Sequence, residues 1–417
     1  MAGLLDGIRV IEFGLLLNGG TVGMYLADLG AEVIKLEDVG RGDYIRTIMG
    51  QVGPGRSPVH LQINKGKKSL ALNLKSDEGK KLFFELLQTA DIFIDGMRPG
   101  AADALGVGYA QQKLAKPDIV YVQYTGYGAD GPYARIPTHG YQMNALVGGL
   151  PSHMGEDGLL HRVRGVQYLG GTEESSAATA LGAQFATMSA MAALTRRLRT
   201  GAGAYIDVAS SDAVMATAWM GMIYNLNYDR IGDRQGLGER TGRHEAKWPE
   251  GSTRYQLYQA SDGKPILLGL IEPKFWKSFC AAVGRPDLVA TMLPGLDIDY
   301  GADKPWLRHE LQAIVATRTA AQWMELAIEL GLPIGPAPAL EDAPDDPHVR
   351  ARGLLHETDI GGDGPFTYVG FPAKIDGAAP ADIRPAPEHG ADSAAVLEAL
   401  GVDAPAFARL KAAGIVR

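Results

Sequence analysis

The stretch from Tyr124 to Gly149 reads YTGYGADGPYARIPTHGYQMNALVGG and holds a single histidine, His139. An imidazole exchanges protons near neutral pH, so His139 is a candidate acid or base. The stretch is too rich in glycine and proline for a helix and too polar for a core strand. It is predicted to be a loop, where binding and catalytic groups concentrate. On composition alone, an ordinary surface loop is the alternative interpretation, with His139 as a hydrogen-bonding structural residue.

The elements that would position this loop follow an α/β pattern. IRVIEF reads as a strand, residues 21–29 as a helix and EVIKL as a second strand, which together make a βαβ unit. Further strands are predicted at 69–74, 91–95 and 119–124, and a Ser-capped helix at 76–89. The first 125 residues are therefore predicted to form a doubly wound α/β domain. Ligands of such domains bind beyond the carboxyl ends of the strands, and the loop begins where the strand ending at Tyr124 stops.

A nicotinamide or flavin cofactor is not expected. The loop from Leu15 to Gly20 lies where a dinucleotide fingerprint would be, but it lacks the G-x-G-x-x-G glycines. Glu37 ends the second strand, where an acid that binds the ribose of a dinucleotide would lie. Without the glycines, this one acid is weak support for such a cofactor. The helix that follows the loop can still hold a phosphate at its N-terminus.

The composition narrows the class of protein. Among 417 residues there are 40 Lys and Arg against 48 Asp and Glu, a net charge of −8, so a nucleic-acid surface is not expected. Cys280 is the only cysteine, which excludes an internal disulfide and a cysteine-rich metal site. The start lacks the features of a signal peptide, and no apolar stretch approaches a membrane span. We expect a cytoplasmic protein without metal or membrane.

The sequence of the second half of the chain indicates a change from one domain to another. An Ala-rich helix from Ala177 to Leu198 indicates close packing or a subunit contact. From about residue 225 the chain is polar and glycine-rich, then forms a hairpin around Ser261–Lys264 and a helix after Glu272. The predicted layout is a large domain at 1–224, a small α+β domain at 225–320, and a segment at 321–417 that returns to the large domain.

Several motifs, in order and at natural spacing, resemble the family III CoA-transferases, a group that includes the α-methylacyl-CoA racemases. They cover almost the full chain: LLDGIRVIEF, ADLGAEVIKLE, INKGKKSLALNLKSDEG, TGYGADGPY, RTGAGAYIDVASSDAV, DGKPILLGLIEPKFW and DPHVRARGLL. The resemblance implies a Rossmann-like large domain built from both chain ends, a small α+β middle domain and an interlocked dimer. It also implies coenzyme A (CoA) thioesters and carboxylic acids as substrates. In the transferases an aspartate attacks the acyl-CoA, and CoA then passes to an acceptor acid.

The resemblance implies that CoA is contacted by residues that follow predicted strands. The arginine that the family often places after the acid of VIKLE falls on Asp38, so Arg41 or Arg46 is expected to contact phosphate instead. Another family arginine falls on Ala104, with Arg98 nearby as its substitute. The expected CoA-binding residues are Leu16, Leu17, Asn18, Arg41, Leu72, Lys75, Met97, Arg98, Thr125 and Tyr127.

The sequence departs from the family pattern at the nucleophilic aspartate. Alignment of the helix ending MAALTRRLRTG places Ala178 or Thr179 at that position, and neither is a suitable nucleophile. Glu173 and Glu174 lie about one turn upstream and are the candidate replacements. An acidic pair before a helix is also an ordinary N-terminal charge cap.

The racemase branch supplies a second interpretation. His139 occupies the place of the racemase histidine, but the aspartate that usually follows it is Gly140. Glu272 in IEPKFW matches the glutamate that supports this histidine, although EPKFW also occurs among the transferases.

Three hypotheses therefore remain open. The favoured one is a CoA-transferase subunit that moves CoA between an acyl-CoA such as succinyl-CoA and an organic or aromatic acid. Because its nucleophile is missing, this chain would rely on a homologous catalytic subunit, as in heteromeric members such as the benzylsuccinate CoA-transferases. The expected assembly is a heterodimer with that subunit or a homodimer. The second hypothesis is an acyl-CoA racemase or isomerase using His139 and Glu272. The third is a non-enzymatic subunit that binds CoA thioesters.

Overall fold

The computed structural model describes residues 3–162, 177–232, 252–302, 304–376 and 383–417. The chain falls into two compact units, one formed by Met1–Trp219 with Gly353–Arg417 and the other by Met220–Arg352. The predicted domain layout, with limits at residues 224 and 320, stays a prediction.

The regular elements are numbered in chain order. The strands of the described residues are β1 Arg9–Gly14, β2 Glu32–Glu37, β3 Lys68–Ala71, β4 Ile92–Gly96, β5 Val120–Thr125, β6 Ser152–Met154, β7 Leu160–Arg162, β8 Ala204–Ala209, β9 Tyr255–Gln259, β10 Pro265–Gly269, β11 Ile334–Pro336, β12 Leu355–Asp359 and β13 Pro365–Val369. The α-helices are α1 Asn18–Asp28, α2 Pro58–Asn64, α3 Asp77–Gln88, α4 Ala101–Ala104, α5 Tyr109–Ala115, α6 Gln142–Leu146, α7 Ala177–Thr200, α8 Ser210–Thr217, α9 Trp219–Asn227, α10 Pro273–Ala282, α11 Pro305–Val315, α12 Ala320–Leu330, α13 Pro347–Arg352, α14 Ser393–Glu398 and α15 Ala404–Ala412.

A six-stranded sheet organises the first unit. Its order is β3-β2-β1-β4-β5-β8, and every neighbouring pair is parallel. This is the doubly wound order, in which crossover helices cover both faces. The prediction of an α/β fold with a central parallel sheet is confirmed, whereas the interlocked dimer stays a prediction.

The two faces of the sheet carry separate cores because successive side chains of a strand point to opposite sides. In β1, Ile11 packs on the side of α3, α14 and α15, with Phe83 and Phe93. The neighbouring Val10 packs on the opposite side, with residues of α1 and α7 such as Val22 and Ala186.

The Ala-rich helix α7 lies inside the second of these cores, where Ala183, Ala186 and Ala190 are fully buried. Small side chains let it approach α1 and β5 closely, as its composition predicts. By length and composition alone α7 is also long and apolar enough to cross a membrane. A core helix passes the same test, so this finding is weak support for a membrane span.

Three local expectations were wrong. Helix α1 begins at Asn18 rather than residue 21, because Gly19 and Gly20 pack where side chains would not fit: a Cβ on Gly20 would lie 2.8 Å from Cγ2 of Ile63. Strand β3 ends at Ala71 rather than residue 74, because the next residues turn to pair with the terminal segment, as in the bridge Leu72–Val416. The Tyr124–Gly149 stretch contains α6, whose sequence QMNAL lacks glycine and proline and buries Met143.

The second unit is built on a three-stranded antiparallel sheet in the order β11-β10-β9. Helices α10, α11 and α12 cover it around a buried core that contains Trp276, Phe279 and Trp323. The predicted hairpin and the helix starting after Glu272 are both present.

Gly14, Gly19 and Gly96 let β1, α1 and β4 meet at the carboxyl edge of the large sheet. A Cβ on Gly96 would clash with the backbone nitrogen of Gly19 and lie 2.7 Å from its Cα. We expect Gly96→Ala to lower the free energy of unfolding by about 1–3 kcal/mol in urea denaturation, because backbone atoms must move to accept the methyl group. Gly335→Ala in β11 is the matched control, since a Cβ there meets nothing within 4 Å. Equal stability of both variants would contradict this explanation.

Candidate functional site

The carboxyl ends of the six parallel strands form one edge of the sheet. The strand order reverses between β1 and β4, so the segments that follow these two strands leave toward opposite faces. Ligands of doubly wound proteins bind in the crevice opened by such a reversal. The loops after β1 and β4 are therefore the first candidates for ligand contact.

The loop after β1 contains a strained backbone conformation that contacts from another segment stabilise. Leu16 has a φ of 56°, in the left-handed region that residues with a Cβ rarely adopt. Its backbone N–H lies 3.1 Å from one carboxylate oxygen of Asp43 and 3.2 Å from the other. The same carboxylate accepts the N–H of Ile45 at 3.0 Å and so caps the 3-10 turn Tyr44–Thr47. Asp43 thus fixes the loops after β1 and β2 to each other.

Asp43 belongs to a cluster of buried charges under these loops. The Nζ of Lys35 lies 3.0 Å from Oδ2 of Asp43 and 2.9 Å from Oε1 of Glu12. The other carboxylate oxygen of Glu12 lies 2.6 Å from Nζ of Lys67. All four side chains are at most 2% exposed. Two cations face two anions, so the cluster is electrically balanced.

Burial and pairing compete for the charge states of this cluster. Burial raises the pKa of Glu12, but the ammonium groups of Lys35 and Lys67 outweigh it and hold that pKa below its usual value. Burial lowers the pKa of Lys67 to about 8, with Glu12 opposing the shift. Burial also lowers the pKa of Lys35, yet Glu12 and Asp43 raise it above its usual value. At neutral pH the charged forms of Glu12, Lys35 and Lys67 are therefore favoured.

A second buried pair lies beside the cluster. Nη2 of Arg46 donates to Oε1 of Glu37 at 2.7 Å, and Nε donates to Oε2 at 3.1 Å. Burial raises the pKa of Glu37, but the Arg46 guanidinium outweighs it and lowers that pKa to about 2. Nη1 of Arg46 also donates to the carbonyl of Pro387 at 3.0 Å. The guanidinium of Arg46 is thus buried and engaged with these partners, whereas Arg41 is exposed, so Arg41 is the better placed of the two predicted phosphate contacts.

The loop after β4 is also held by a carboxylate. Asp95 accepts the N–H of Met97 at 3.0 Å and the hydroxyl of Tyr121 at 2.6 Å. Burial raises the pKa of Asp95 to about 6, although both hydrogen bonds oppose the shift. The amide of Gln123 donates to the carbonyls of Asp95 and Met97, each at 3.3 Å.

The glycine-rich loop after β5 is fixed in the same way. Both carboxylate oxygens of Asp207, in β8, accept the N–H of Ala129, at 3.0 and 2.9 Å. The preceding residue, Gly128, has a φ of 87°, which a glycine adopts without strain. A neighbouring carboxylate thus holds a backbone N–H in the loops after β1, β4 and β5.

The predicted CoA-binding residues lie at or just beyond strand ends of this edge. Since parallel strands end on the same side, the topology brings their backbone segments to one edge. After β1 come Leu16, Leu17 and Asn18; after β2, Arg41; after β3, Leu72 and Lys75; after β4, Met97 and Arg98; at the end of β5, Thr125 and Tyr127.

Exposure differs among these residues. Arg41, Lys75 and Arg98 are exposed, and the guanidinium of Arg41 lies 5.2 Å from the ring centre of Tyr44. The side chain of Leu72 is buried in the core, so only its backbone is available at the edge.

The predicted catalytic residues are more scattered. His139 is exposed in the loop after β5, and its carbonyl accepts the N–H of Gln142 at 3.1 Å. Glu272 belongs to the second unit, where it is half-buried and precedes α10. Glu173 and Glu174 lie outside the described residues.

Ala178 and Thr179, the residues that the alignment predicts at the nucleophile's position, lie in the first turn of α7. Ala178 is fully buried and Thr179 is 3% exposed. The carbonyl of Thr179 accepts the hydroxyl of Tyr124 at 2.6 Å, and that hydroxyl also lies 2.8 Å from Oγ of Ser210. This turn therefore has a fixed backbone and no carboxylate at residues 178 and 179.

Sequence reasoning missed the carboxylates and lysines that hold the loops. Glu12 in IRVIEF and Lys35 in EVIKL are charged residues inside runs that otherwise read as buried strands. A charge in such a run must be paired, and this signal could have identified both residues. Asp95 in DIFID and Asp207 in YIDV carry the same signal, whereas Asp43 lies outside such a run.

The all-parallel sheet and its strand order define a doubly wound α/β protein. The family model described as CoA-transferase family III matches residues 5–393. The chain belongs to this family and is an enzyme of the CoA-transferase type.

Relatives and solved structures agree with this assignment. The chain is 30% identical to an acetyl-CoA:oxalate CoA-transferase of Acetobacter aceti, over 90% of each chain. It is 29% identical to a succinyl-CoA:mesaconate CoA-transferase of Haloarcula marismortui, over 96% of this chain and 97% of the relative. The crystal structure of an aspartate-to-alanine variant of Rv3272 from Mycobacterium tuberculosis matches with a TM-score of 0.73 and 25% identity, covering 94% of this chain and 98% of that one.

The charge cluster predicts a large cost for removing one carboxylate. Glu12→Gln leaves Lys35 and Lys67 buried with one anion fewer, so we expect a loss of about 3–5 kcal/mol in the free energy of unfolding. Glu85→Gln is the matched control, because Glu85 forms an exposed pair with Lys81 at 3.9 Å and should cost at most about 0.5 kcal/mol. Urea denaturation of both variants measures the difference. A loss below about 1 kcal/mol for Glu12→Gln would contradict the buried-pair account.

Asp95 predicts a pH dependence with a definite sign. Its pKa is raised to about 6 in the folded chain from 3.8, so the folded state binds the proton more tightly. The contribution of the protonated carboxyl to stability is present at low pH and is lost as pH rises through about 6. Asparagine does not titrate. The stability of Asp95→Asn relative to wild type should therefore improve by about 1–3 kcal/mol between pH 4 and pH 7.5.

Urea denaturation at the two pH values measures this change. Asp77→Asn, at an exposed aspartate in the first turn of α3, is the control and should show little change. A relative stability of Asp95→Asn that stays constant, or falls with rising pH, would refute the assignment.

Proposed function

We propose that the chain is a CoA-transferase subunit that binds an acyl-CoA at the carboxyl edge and works with a homologous subunit that supplies the nucleophilic carboxylate. Family membership supports the reaction class. The relatives named for acetyl-CoA with oxalate and succinyl-CoA with mesaconate support an acyl-CoA donor and a carboxylic acid acceptor. Succinyl-CoA with an organic or aromatic acid is the substrate class that we favour.

The chemistry explains why a carboxylate is required. Attack of a carboxylate on the thioester carbonyl gives a mixed anhydride and releases CoA thiolate. The thiolate attacks the enzyme's carbonyl in that anhydride, which forms an enzyme–CoA thioester and releases the donor acid. The acceptor carboxylate attacks this thioester, which forms a second mixed anhydride and releases the CoA thiolate again. The thiolate then attacks the acceptor's carbonyl in that anhydride, which gives the product acyl-CoA and frees the enzyme carboxylate. Each step exchanges one activated acyl group for another, so the sequence needs no external energy source.

The observation that carries the subunit proposal is the first turn of α7. Ala178 and Thr179 occupy the position that the alignment gives to the nucleophile, and Thr179 is buried with its carbonyl bound to the Tyr124 hydroxyl. A neutral hydroxyl is a poor replacement for a carboxylate, since it would form an unactivated ester instead of an anhydride. The loops fixed by Asp43, Asp95 and Asp207 still provide a preorganised edge for binding.

We therefore expect the purified chain alone to show no CoA transfer from succinyl-CoA to a panel of organic and aromatic acids. Addition of a family member that keeps the Gly-Asp step should produce transfer, measured by mass spectrometry of the CoA products. A partner whose aspartate is replaced by asparagine is the control, and it should give none. Intact-mass analysis of this chain should show no covalent CoA adduct.

Two outcomes would overturn the subunit proposal. Transfer by the chain alone, with an adduct that disappears in Glu173→Gln or Glu174→Gln, would make one of these glutamates the nucleophile. Exchange of an α-proton of an acyl-CoA for deuterium, lost in His139→Ala, would instead support the isomerase hypothesis.

A further inference from the structure

The terminal segment of the chain lies against the edge of the sheet beside β3. Leu72, the first residue after β3, forms an antiparallel bridge with Val416. The N–H of Asn73 donates to the carbonyl of Ile415 at 2.9 Å. A Cβ built on Gly390 would lie 3.1 Å from the Cβ of Ala71 and 3.3 Å from that of Arg417. The backbone of Arg417 is therefore fixed next to the carboxyl end of β3.

A histidine connects Arg417 to the end of β2. Nη1 of Arg417 lies 2.7 Å from Nδ1 of His389, and Nε2 of the same ring lies 2.8 Å from the carbonyl oxygen of Asp38. Since a guanidinium only donates, Nδ1 accepts and Nε2 carries the proton that is donated to Asp38. Burial lowers the pKa of His389, which agrees with a neutral ring. The ring thus positions the guanidinium beside the loop that follows β2.

The guanidinium of Arg417 has no counter-ion among the described residues. Among the described residues, no carboxylate lies within 4 Å of the Arg417 guanidinium, and the residue is exposed. Its hydrogen bond to those residues uses Nη1 and a neutral acceptor, His389. An exposed cation held in place without a counter-ion is suited to an anionic ligand.

The residue that follows β2 has an acidic side chain, which repels an anion. Asp38 is an acid, and its Oδ1 accepts the N–H groups of Gly40 at 2.9 Å and Arg41 at 3.1 Å. In doubly wound folds the end of the second strand faces the ribose of a bound nucleotide, and an arginine nearby accommodates a phosphate on that ribose. The ribose of CoA carries such a phosphate at its 3′ position.

We propose that Arg417, positioned by His389, binds the 3′-phosphate of CoA and gives the chain its preference for CoA over 3′-dephospho-CoA. This inference rests on the proposed function, because it requires acyl-CoA to bind at the carboxyl edge. The phosphate lies at the end of β2, and the guanidinium reaches it from the terminal segment across the end of β3. A dianionic phosphate gains charge-assisted hydrogen bonds from the planar N–H groups of the guanidinium.

The test is a titration calorimetry comparison of two ligands and three proteins. Wild type should bind CoA at least about tenfold more tightly than 3′-dephospho-CoA, the range expected for a charge-assisted pair. Arg417→Gln should lose most of this preference by binding CoA more weakly, while its affinity for 3′-dephospho-CoA stays unchanged. Arg409→Gln, at an exposed arginine of the nearby helix α15, is the matched control and should keep the wild-type preference.

Four results would overturn the inference. Unchanged CoA binding by Arg417→Gln, or an equal loss for both ligands, removes the 3′-phosphate contact while leaving the proposed function intact. An equal effect of Arg409→Gln would indicate general surface charge rather than a specific contact. If wild type binds neither ligand, the proposed function fails together with the inference.

Discussion

The buried charges beneath the carboxyl edge are the constraint on which the rest of the first unit depends. Removing an ion from water costs several kcal/mol, so each charge must keep its partner in the folded chain. Lys35 contacts both Glu12 and Asp43, and Glu12 also contacts Lys67. These contacts join β1, β2, the segment before β3 and the loop after β2 into one body. The positive φ of Leu16 is one consequence, because the Asp43 carboxylate that holds its N–H is itself held by Lys35.

The same arrangement orders the loops at the carboxyl edge, where we propose that the ligand binds. Asp43, Asp95 and Asp207 each accept a backbone N–H from a different loop, so these loops need little further ordering when a ligand arrives. The close contact of Gly19 and Gly96 brings α1 against β4 at the strand-order reversal. This order favours the proposed binding of an acyl-CoA at the edge, whereas Ala178 and Thr179, which the alignment gives as candidates for the nucleophile's position, carry no carboxylate. This separation of binding from chemistry is the physical basis of the subunit proposal.

Sequence alone predicted the framework better than the supports of the site. The strands and the edge position of Leu16, Met97 and Thr125 were predictable, because apolar periodicity locates strands and parallel strands end on one side. The charges of Glu12 and Lys35 inside apolar runs indicate that each needs a partner, but the identity of the partners was not predictable, since the pairs join separate segments of the folded chain. The position of Arg417 beside the loop after β2 was hidden for the same reason. Composition also concealed α6, since glycine and proline around QMNAL favoured a loop throughout.

Hydrogen–deuterium exchange of the purified chain, with and without saturating CoA, tests most directly whether the carboxyl edge is the CoA site. The account predicts slower exchange on CoA addition at the amides of residues 15–20, 97–98 and 126–129, in the loops after β1, β4 and β5. Amides in the core of the second unit around Trp276 and Trp323 should exchange at the same rate in both samples. Protection that is absent from the three loops, or found only in the second unit, would contradict the central claim.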